Sequence, residues 1–242
     1  MASTAKPTYG TPNWSMISRW LEIPAEDDGP FWALNLMKYR TVAAYGNDAG
    51  SDGKVVSGRE ADDAYAPLGP LAAIGAMVSF LGDVDSQPLG EPGWDRIGII
   101  RYPSRAAFFA MQQRDDFKQQ HVHKEAGMEF TIVMATIPTW HADAPATEGR
   151  LVLTVERQAQ ATMSATPPTG IDPIATFDLE GVIVGDERTF DRVRFDRVAD
   201  DEALSALVNL SAAAEESQVI VLDVKIDNLI ESIRTAPSSK QN

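Results

Sequence analysis

The stretch QQHVHKEAG, Gln119 to Gly127, carries two of the chain's three histidines one residue apart, beside a lysine and a glutamate. Paired imidazoles suggest metal ligation. However, the surrounding DDFKQQHVHKEAG reads as helix, where side chains at i and i+2 point roughly 200° apart. His121 and Glu125 share a face at i, i+4, but one imidazole and one carboxylate leave a divalent ion short of ligands, and His141 lies in a separate linker. No metal site is therefore expected, and His121 reads as a solvated residue paired with Glu125. His123 suits proton transfer near neutral pH, with Lys124 lowering its pKa by like charge. The alternative for His123 is a helix-end imidazole bonded to the backbone.

Three further polar residues fall inside strand-like segments. Asn35 sits in the middle of FWALNLMKYR and shares a face with Ala33 and Met37, while Trp32, Leu34 and Leu36 share the other. If the bulkier face packs on helices, Asn35 points into whatever the opposite face encloses, where a carboxamide needs a ligand, a neighbour or a water. It either orients a ligand or bonds to an adjoining strand. In WDRIGIIRYP, Arg96 and Tyr102 share a face with Trp94, Gly98 and Ile100, and are candidate cavity-lining groups. Asp95 and Arg101, on the other face, suit pairing with a helix layer. Arg96, like Asp95 and Arg101, also reads as a structural ion-pair partner.

The elements that must position these residues follow from hydrophobic periodicity. The first half reads as strand FWALNLMKYR, a Gly/Asp loop over Gly46 to Gly53, and a helix from Ser57 with an S-x-x-E capping box formed by Ser57 and Glu60. Pro67 and Pro70 should kink or split that helix before Gly75. Strands AMVSFLGDV and WDRIGIIRY, a helical region from Ser104 and strand FTIVMATI complete a β-α-β-β-α-β plan. The second half gives strand RLVLTVER, a Pro-rich stretch over Thr166 to Pro173 in place of the first helix, strands IATFDLEGVIV and TFDRVRFDRV, helix DDEALSALVNLSAAAEE and strand QVIVLDVKI. Both termini, Ser3 to Pro12 and Ala236 to Asn242, look frayed.

WDRIGIIRYPSRAAFFAM, Trp94 to Met111, aligns without a gap on FDRVRFDRVADDEALSAL, Phe190 to Leu207. The matches are Asp95/Asp191, Arg96/Arg192, Arg101/Arg197, Ala107/Ala203 and Ala110/Ala206. Each segment is a strand running into a helix capped by Ser104 or Asp200, which reads as an internal duplication. A β-α-β-β-α-β unit is ferredoxin-like, with one bare sheet face. The expected fold is therefore α+β: tandem ferredoxin-like modules forming an intrachain pseudo-dimeric α+β barrel with a ligand cavity between the sheets. The divisions are an N-terminal extension (1–29), a first module (30–138), a linker (139–149), a degenerate second module (150–235) and a disordered tail (236–242).

The motifs ALNLMKYR, SGREADDAY, WDRIGIIRYPSRAAFFAM and HVHKEAGMEFTIVMATIP occur in order in the first half, which resembles the DUF1330 family of the dimeric α+β barrel superfamily over roughly residues 30 to 138. That resemblance implies the fold firmly and a function only weakly, because the family is largely of unknown function. It places His123 and Lys124 on the family's H-[RK] position, and Arg59 and Tyr65 on family positions of the first helix, where Arg59 could bind an anionic substrate group. Related families include cofactor-free monooxygenases, muconolactone isomerase, polyketide cyclases and haem enzymes. The two-module haem members place their proximal histidine in the second module, and no histidine follows His141 here.

The formal charge of −14 is spread over both halves, with 12 Lys+Arg against 18 Asp+Glu in residues 1–145 and 9 against 17 in 146–242. Such a chain repels a phosphate backbone or an anionic membrane, so no nucleic-acid or membrane partner is expected. With 44% hydrophobic residues it can bury a core, and without cysteine it lacks disulfides and thiolate metal sites. No leader or apolar run of spanning length is visible, which reads as a cytoplasmic chain. No phosphate loop, dinucleotide fingerprint or nucleophile elbow appears.

The reading that best unites these residues is a cofactor-independent enzyme on a small carbonyl or phenolic molecule, of isomerase, cyclase or monooxygenase type. His123 is its catalytic acid/base, and Asn35, Arg59, Tyr65, Arg96, Tyr102 and Lys124 bind the substrate. The alternative is a non-catalytic small-molecule-binding or scaffold barrel. Self-association into a homo-oligomer is left open.

Overall fold

The computed structural model describes residues 9–46, 54–157 and 168–237. Most of the expected Gly/Asp loop, the first part of the Pro-rich stretch and the outer ends of both termini lie outside them. In chain order the elements are β1 (Thr11–Pro12), α1 (Trp14–Leu21), β2 (Phe31–Tyr39), α2 (Gly58–Ala64), α3 (Leu68–Ala73), β3 (Met77–Leu89), β4 (Arg96–Tyr102), α4 (Arg105–Gln113), α5 (Asp115–Gly127) and β5 (Met128–His141). There follow β6 (Arg150–Arg157), β7 (Ile171–Gly185), β8 (Arg192–Val198), α6 (Asp201–Ser211), β9 (Glu216–Asp227) and α7 (Leu229–Arg234).

Local chemistry sets several boundaries. Ser57 and Glu60 form the reciprocal capping box at the start of α2, and Pro67, which cannot continue the helix, stands at the break before α3. Ser104 and Asp200 accept from the backbone N–H of Ala107 and Ala203, both at 3 Å to within 0.1 Å, and so cap α4 and α6.

The strands run β7-β5-β2-β4-β3-β9-β6-β8, and β8 pairs back onto β7, closing an eight-stranded antiparallel barrel. Within each half the chain follows the same order: β5-β2-β4-β3 in the first and β9-β6-β8-β7 in the second. The halves join through β3–β9 and β5–β7.

Among the described residues the barrel interior is packed with side chains where a cavity between the sheets was expected. Alternate residues of all eight strands, among them Trp32, Leu34, Leu36, Phe80, Ile97, Ile132, Phe177, Phe195 and Ile220, form one buried cluster that fills the barrel. An eight-stranded barrel has an interior just wide enough for side chains, so the bulkier face of each strand goes inward. The reading that put Trp32, Leu34 and Leu36 against the helices and Asn35 inside is therefore reversed. A second cluster, including Met16, Trp20, Phe31, Ala33, Leu71, Tyr102, Met111 and Phe117, lies between the first half's outer sheet face and its helices.

Two segments contribute more than expected. Thr11–Pro12 pairs with Gly185 and Val184 and Tyr9 is buried, so the N-terminal segment is held by the barrel from Tyr9 onward rather than frayed. Near the C-terminus, Leu229 of α7 joins the barrel core, and Ser232 accepts from Trp32 Nε1 at 2.8 Å. Arg101 reaches this same helix, donating to Ser232 O at 3.1 Å.

Candidate functional site

The register of β2 on β4 sets Asn35 opposite Gly98, Met37 opposite Arg96 and Phe31 opposite Tyr102. This brings the polar residues of the two strands together on the outer face, beneath α2, α3 and α5. Glycine at 98 leaves the middle of that face low: a Cβ there would meet only the Met37 and Leu81 side chains, at 3.3 and 3.7 Å. At the rim, Gly58 and Gly127 lie so close that a Cβ on either would strike the other's carbonyl, which draws α2 against the end of α5.

Between these elements lies a pocket of about 310 Å³, at the lower end of the range for small-molecule sites. Its polar wall is Asn35, Asp62, Asp63, Tyr65, Arg96, Tyr102 and Lys124. Met37, Leu71, Val78, Leu81 and Ile100 supply apolar surface, exposed Leu68 stands at the mouth, and Ile226 is contributed by the second half. Asn35, Tyr65, Arg96, Tyr102 and Lys124 are thus gathered in one place, outside the barrel rather than within it. Arg59 and His123 do not line this pocket.

The helical period of α5 explains the exchange of roles between its histidines. Phe117, His121 and Lys124 fall on one face, and His123 is turned about 100° from Lys124. His123 Nδ1 shares a 2.8 Å hydrogen bond with the hydroxyl of Tyr45. His121, expected to be solvated, is instead enclosed by the rings of Phe117, Tyr65 and Tyr9, and its Nε2 shares a 3.0 Å hydrogen bond with the Tyr9 hydroxyl. Glu125 stands 3.9 Å from the same nitrogen. Burial, reinforced by the charge of Lys124, pushes the His121 imidazole down to about 4, so it is neutral at pH 7.

Lys124 Nζ lies 3.3 Å from Asn35 Oδ1 and over the rings of Tyr9 and Tyr65, at 5.8 and 5.6 Å from their centroids. It forms no ion pair with a described carboxylate. Burial lowers its pKa, against an opposing pull from Asp62. Asn35 Nδ2 donates to Ala33 O at 3.1 Å, which turns its carbonyl oxygen toward the lysine. Burial raises the Tyr65 and Tyr102 phenols, keeping both protonated. Tyr102 donates only to Met111 Sδ at 3.8 Å, and Tyr65 has no hydrogen-bond partner among the described residues.

Arg96 is held otherwise. Its Nε donates to Asp83 at 2.8 Å and its Nη1 to Asp62 at 3.0 Å and Asp63 at 2.8 Å. Asp62 also accepts from the Tyr39 hydroxyl at 2.5 Å. Although burial works against it, Asp83 is held below the usual carboxylate range by Arg96, with Arg59 and Lys225 adding to the effect. Arg59 is ion-paired to Asp83. Arg96 therefore builds the wall, and Arg59 braces it from outside. Among the described residues, no group of three or more His, Asp or Glu side chains is placed to hold a metal.

Sequence reasoning did not select Asp62, Asp63, Gly98 or Ile226. A glycine inside an otherwise β-branched strand was an available signal for Gly98, and a 3.6-residue reading of α5 was one for the face that carries Lys124.

No family model matches the chain, and no curated protein matches it. Among solved structures, an anthrone oxidase-like protein is 14% identical, covering 84% of this chain and 94% of its own, with a TM-score of 0.51. A protein of unknown function from Rhodopseudomonas palustris is 25% identical, over 52% of this chain and 94% of its own, at TM-score 0.45. A monooxygenase-like protein from Lactobacillus acidophilus is 12% identical, over 84% of this chain and 97% of its own, at TM-score 0.41. The first of these likenesses supports the α+β barrel architecture and extends to fold alone. No described helix is long and apolar enough to cross a membrane.

Proposed function

We propose that the chain is a cofactor-independent enzyme that removes a proton from a small, partly apolar carbonyl or phenolic molecule bound between the first half's sheet and its helices. One observation carries this reading: a half-buried amine, Lys124, lacking an ion-pair partner among the described residues, stands beside the Asn35 amide on the wall of a largely apolar pocket. The acid/base role assigned to His123 from sequence passes to Lys124 in this proposal, because Lys124 lines the pocket and His123 does not.

The apolar part of the substrate packs on Met37, Leu71, Val78 and Ile100, and its oxygen faces Tyr65, Tyr102 and Lys124. The neutral amine takes the proton from a phenol or from carbon next to a carbonyl. The ammonium so formed, accepted by Asn35 Oδ1, lies next to the new oxyanion, and the two protonated phenols donate to it. Isomerisation, cyclisation and oxygenation all begin with this step.

The shared strand order, the matched caps at Ser104 and Asp200 and the Trp94/Phe190 alignment support duplication of one ferredoxin-like module, over residues 30–138 and 150–235. The four ordered motifs support placing the first module with the DUF1330 family. In the second half Arg194 stands at the position corresponding to Gly98 and pairs with Asp196, so a long side chain lies on the matching face where the first half has a glycine.

The test is proton exchange. A panel of small ketones, β-diketones and phenols in D2O is followed by NMR for enzyme-dependent incorporation of deuterium at carbon. Incorporation by the wild type that is lost in Lys124→Met and reduced in Asn35→Ala supports the reading. Binding of several panel members with no incorporation in any would replace it with the non-catalytic binding protein.

A further inference from the structure

We propose that Lys124 is a nucleophile as well as a base, and condenses with an aldehyde or ketone ligand to form an imine. The inference rests on the pocket of the preceding proposal but asks more of the amine. Two other lysines have carboxylate partners, Lys118 with Asp115 and Lys225 with Asp223 and Asp83, while Lys38 donates to the carbonyl of Gly93. Among the described residues Lys124 has one amide oxygen at 3.3 Å and two aromatic faces. Asp62, the carboxylate that acts on it across the pocket, is already engaged by Arg96 and Tyr39. A desolvated amine without a counter-ion gives up its proton readily, and the neutral amine is the nucleophilic form. Burial of Lys124 acts in the same direction.

The chemistry balances without an oxidant or reductant. The Nζ lone pair forms a bond to the carbonyl carbon while the carbonyl π pair moves to oxygen, and as nitrogen gives up one of its two N–H protons oxygen gains one, giving a carbinolamine. Loss of that hydroxyl with a second proton as water leaves the C=N bond. Tyr102, whose only acceptor is a thioether sulfur, and Tyr65 supply hydroxyls that hold the carbonyl oxygen and its successor hydroxyl. The apolar surface supplied by Met37, Leu71 and Ile100 suits a carbonyl compound with a short aliphatic or single aromatic body.

Full-length protein is incubated at pH 7 with benzaldehyde and cyanoborohydride, which reduces an imine to a stable secondary amine, and labelled lysines are located by peptide mass mapping. Lys124 is expected to be labelled faster than Lys38, Lys118 or Lys225, because burial lowers its basicity and leaves more of the amine in the neutral, nucleophilic form. Asn35→Asp places a carboxylate against the amine and is expected to slow Lys124 labelling while leaving Lys38 unchanged. Labelling of Lys124 at or below the rate of the surface lysines in the wild type overturns the proposal, whatever the variants do. The two readings separate cleanly. Deuterium exchange without trapping at Lys124 leaves the base and removes the nucleophile, and trapping without exchange does the reverse.

Discussion

Replacing Arg96 with methionine keeps the aliphatic stem and deletes the guanidinium that ties α2 to the sheet. The size of the effect follows from what each carboxylate loses. Asp63 has a side chain 55% exposed, so its share is close to zero. Asp83 keeps Arg59 and Lys225. Asp62, only 7% exposed, is left with the Tyr39 hydroxyl alone. Removing one partner of a buried ion pair costs about 3–5 kcal/mol, most of it the penalty on the charge left behind; the retained phenol bond places Arg96→Met near the lower end. Making Asp62→Asn in the same chain removes that stranded charge, so the double variant is expected to recover about 2 kcal/mol, against additivity for independent sites. Urea unfolding at pH 7, with the four members of the cycle compared at equal m, measures both quantities. A loss under about 1 kcal/mol in Arg96→Met, or no recovery in the double variant, would refute the account of Arg96 as the strut of the pocket wall.

The remaining predictions concern the histidine, the glycine and the cap. His121 has a folded pKa of about 4 against an ordinary 6.5, so the unfolded chain binds the extra proton between those values; stability is then lost as pH falls from about 6.5 to about 4, by up to ~3 kcal/mol. His121→Gln, which can still bond to Tyr9, should flatten that limb of a pH series of urea midpoints, and an unchanged slope would count against it. Gly98→Ala should be neutral or stabilising by about 0.5 kcal/mol, since only the flexible tips of Met37 and Leu81 must yield. Gly98→Val should fold equally well yet lose binding of any compound that exchanges in the wild type. Unaltered binding would place the ligand elsewhere. Ser57→Ala removes the capping box of α2 and should cost about 1 kcal/mol, read as a shift in urea midpoint.

The alternation of strands, the order of elements and the three caps were legible because each depends on residues within a few positions of one another. What was not legible is which face of a strand goes inward. FWALNLMKY and RIGIIRY are apolar on both faces, so period-2 alternation fixes that residues share a side without saying which side, and barrel closure decides it. Asn35, Arg96 and Tyr102 therefore stand on the outer face of the barrel and not, as expected, on the inner one. The burial of His121 depends on Tyr9, 112 residues distant, and the role of α7 depends on Trp32, 200 residues before its partner Ser232. Contacts of that range leave no periodic trace.

The two junctions β3–β9 and β5–β7 also determine how the molecule behaves on dilution. Each half offers two sheet margins, and each margin finds its complement in the other half of the same polypeptide. Were the halves separate chains, the barrel would be an assembly whose melting point fell with concentration. Joined through residues 142–149, the second closure is intramolecular, with an effective concentration in the millimolar range or above. Closure of the barrel itself is then independent of how much protein is present. Among the described residues each of the eight barrel strands has a partner on both sides, and only the two-residue β1 is an edge.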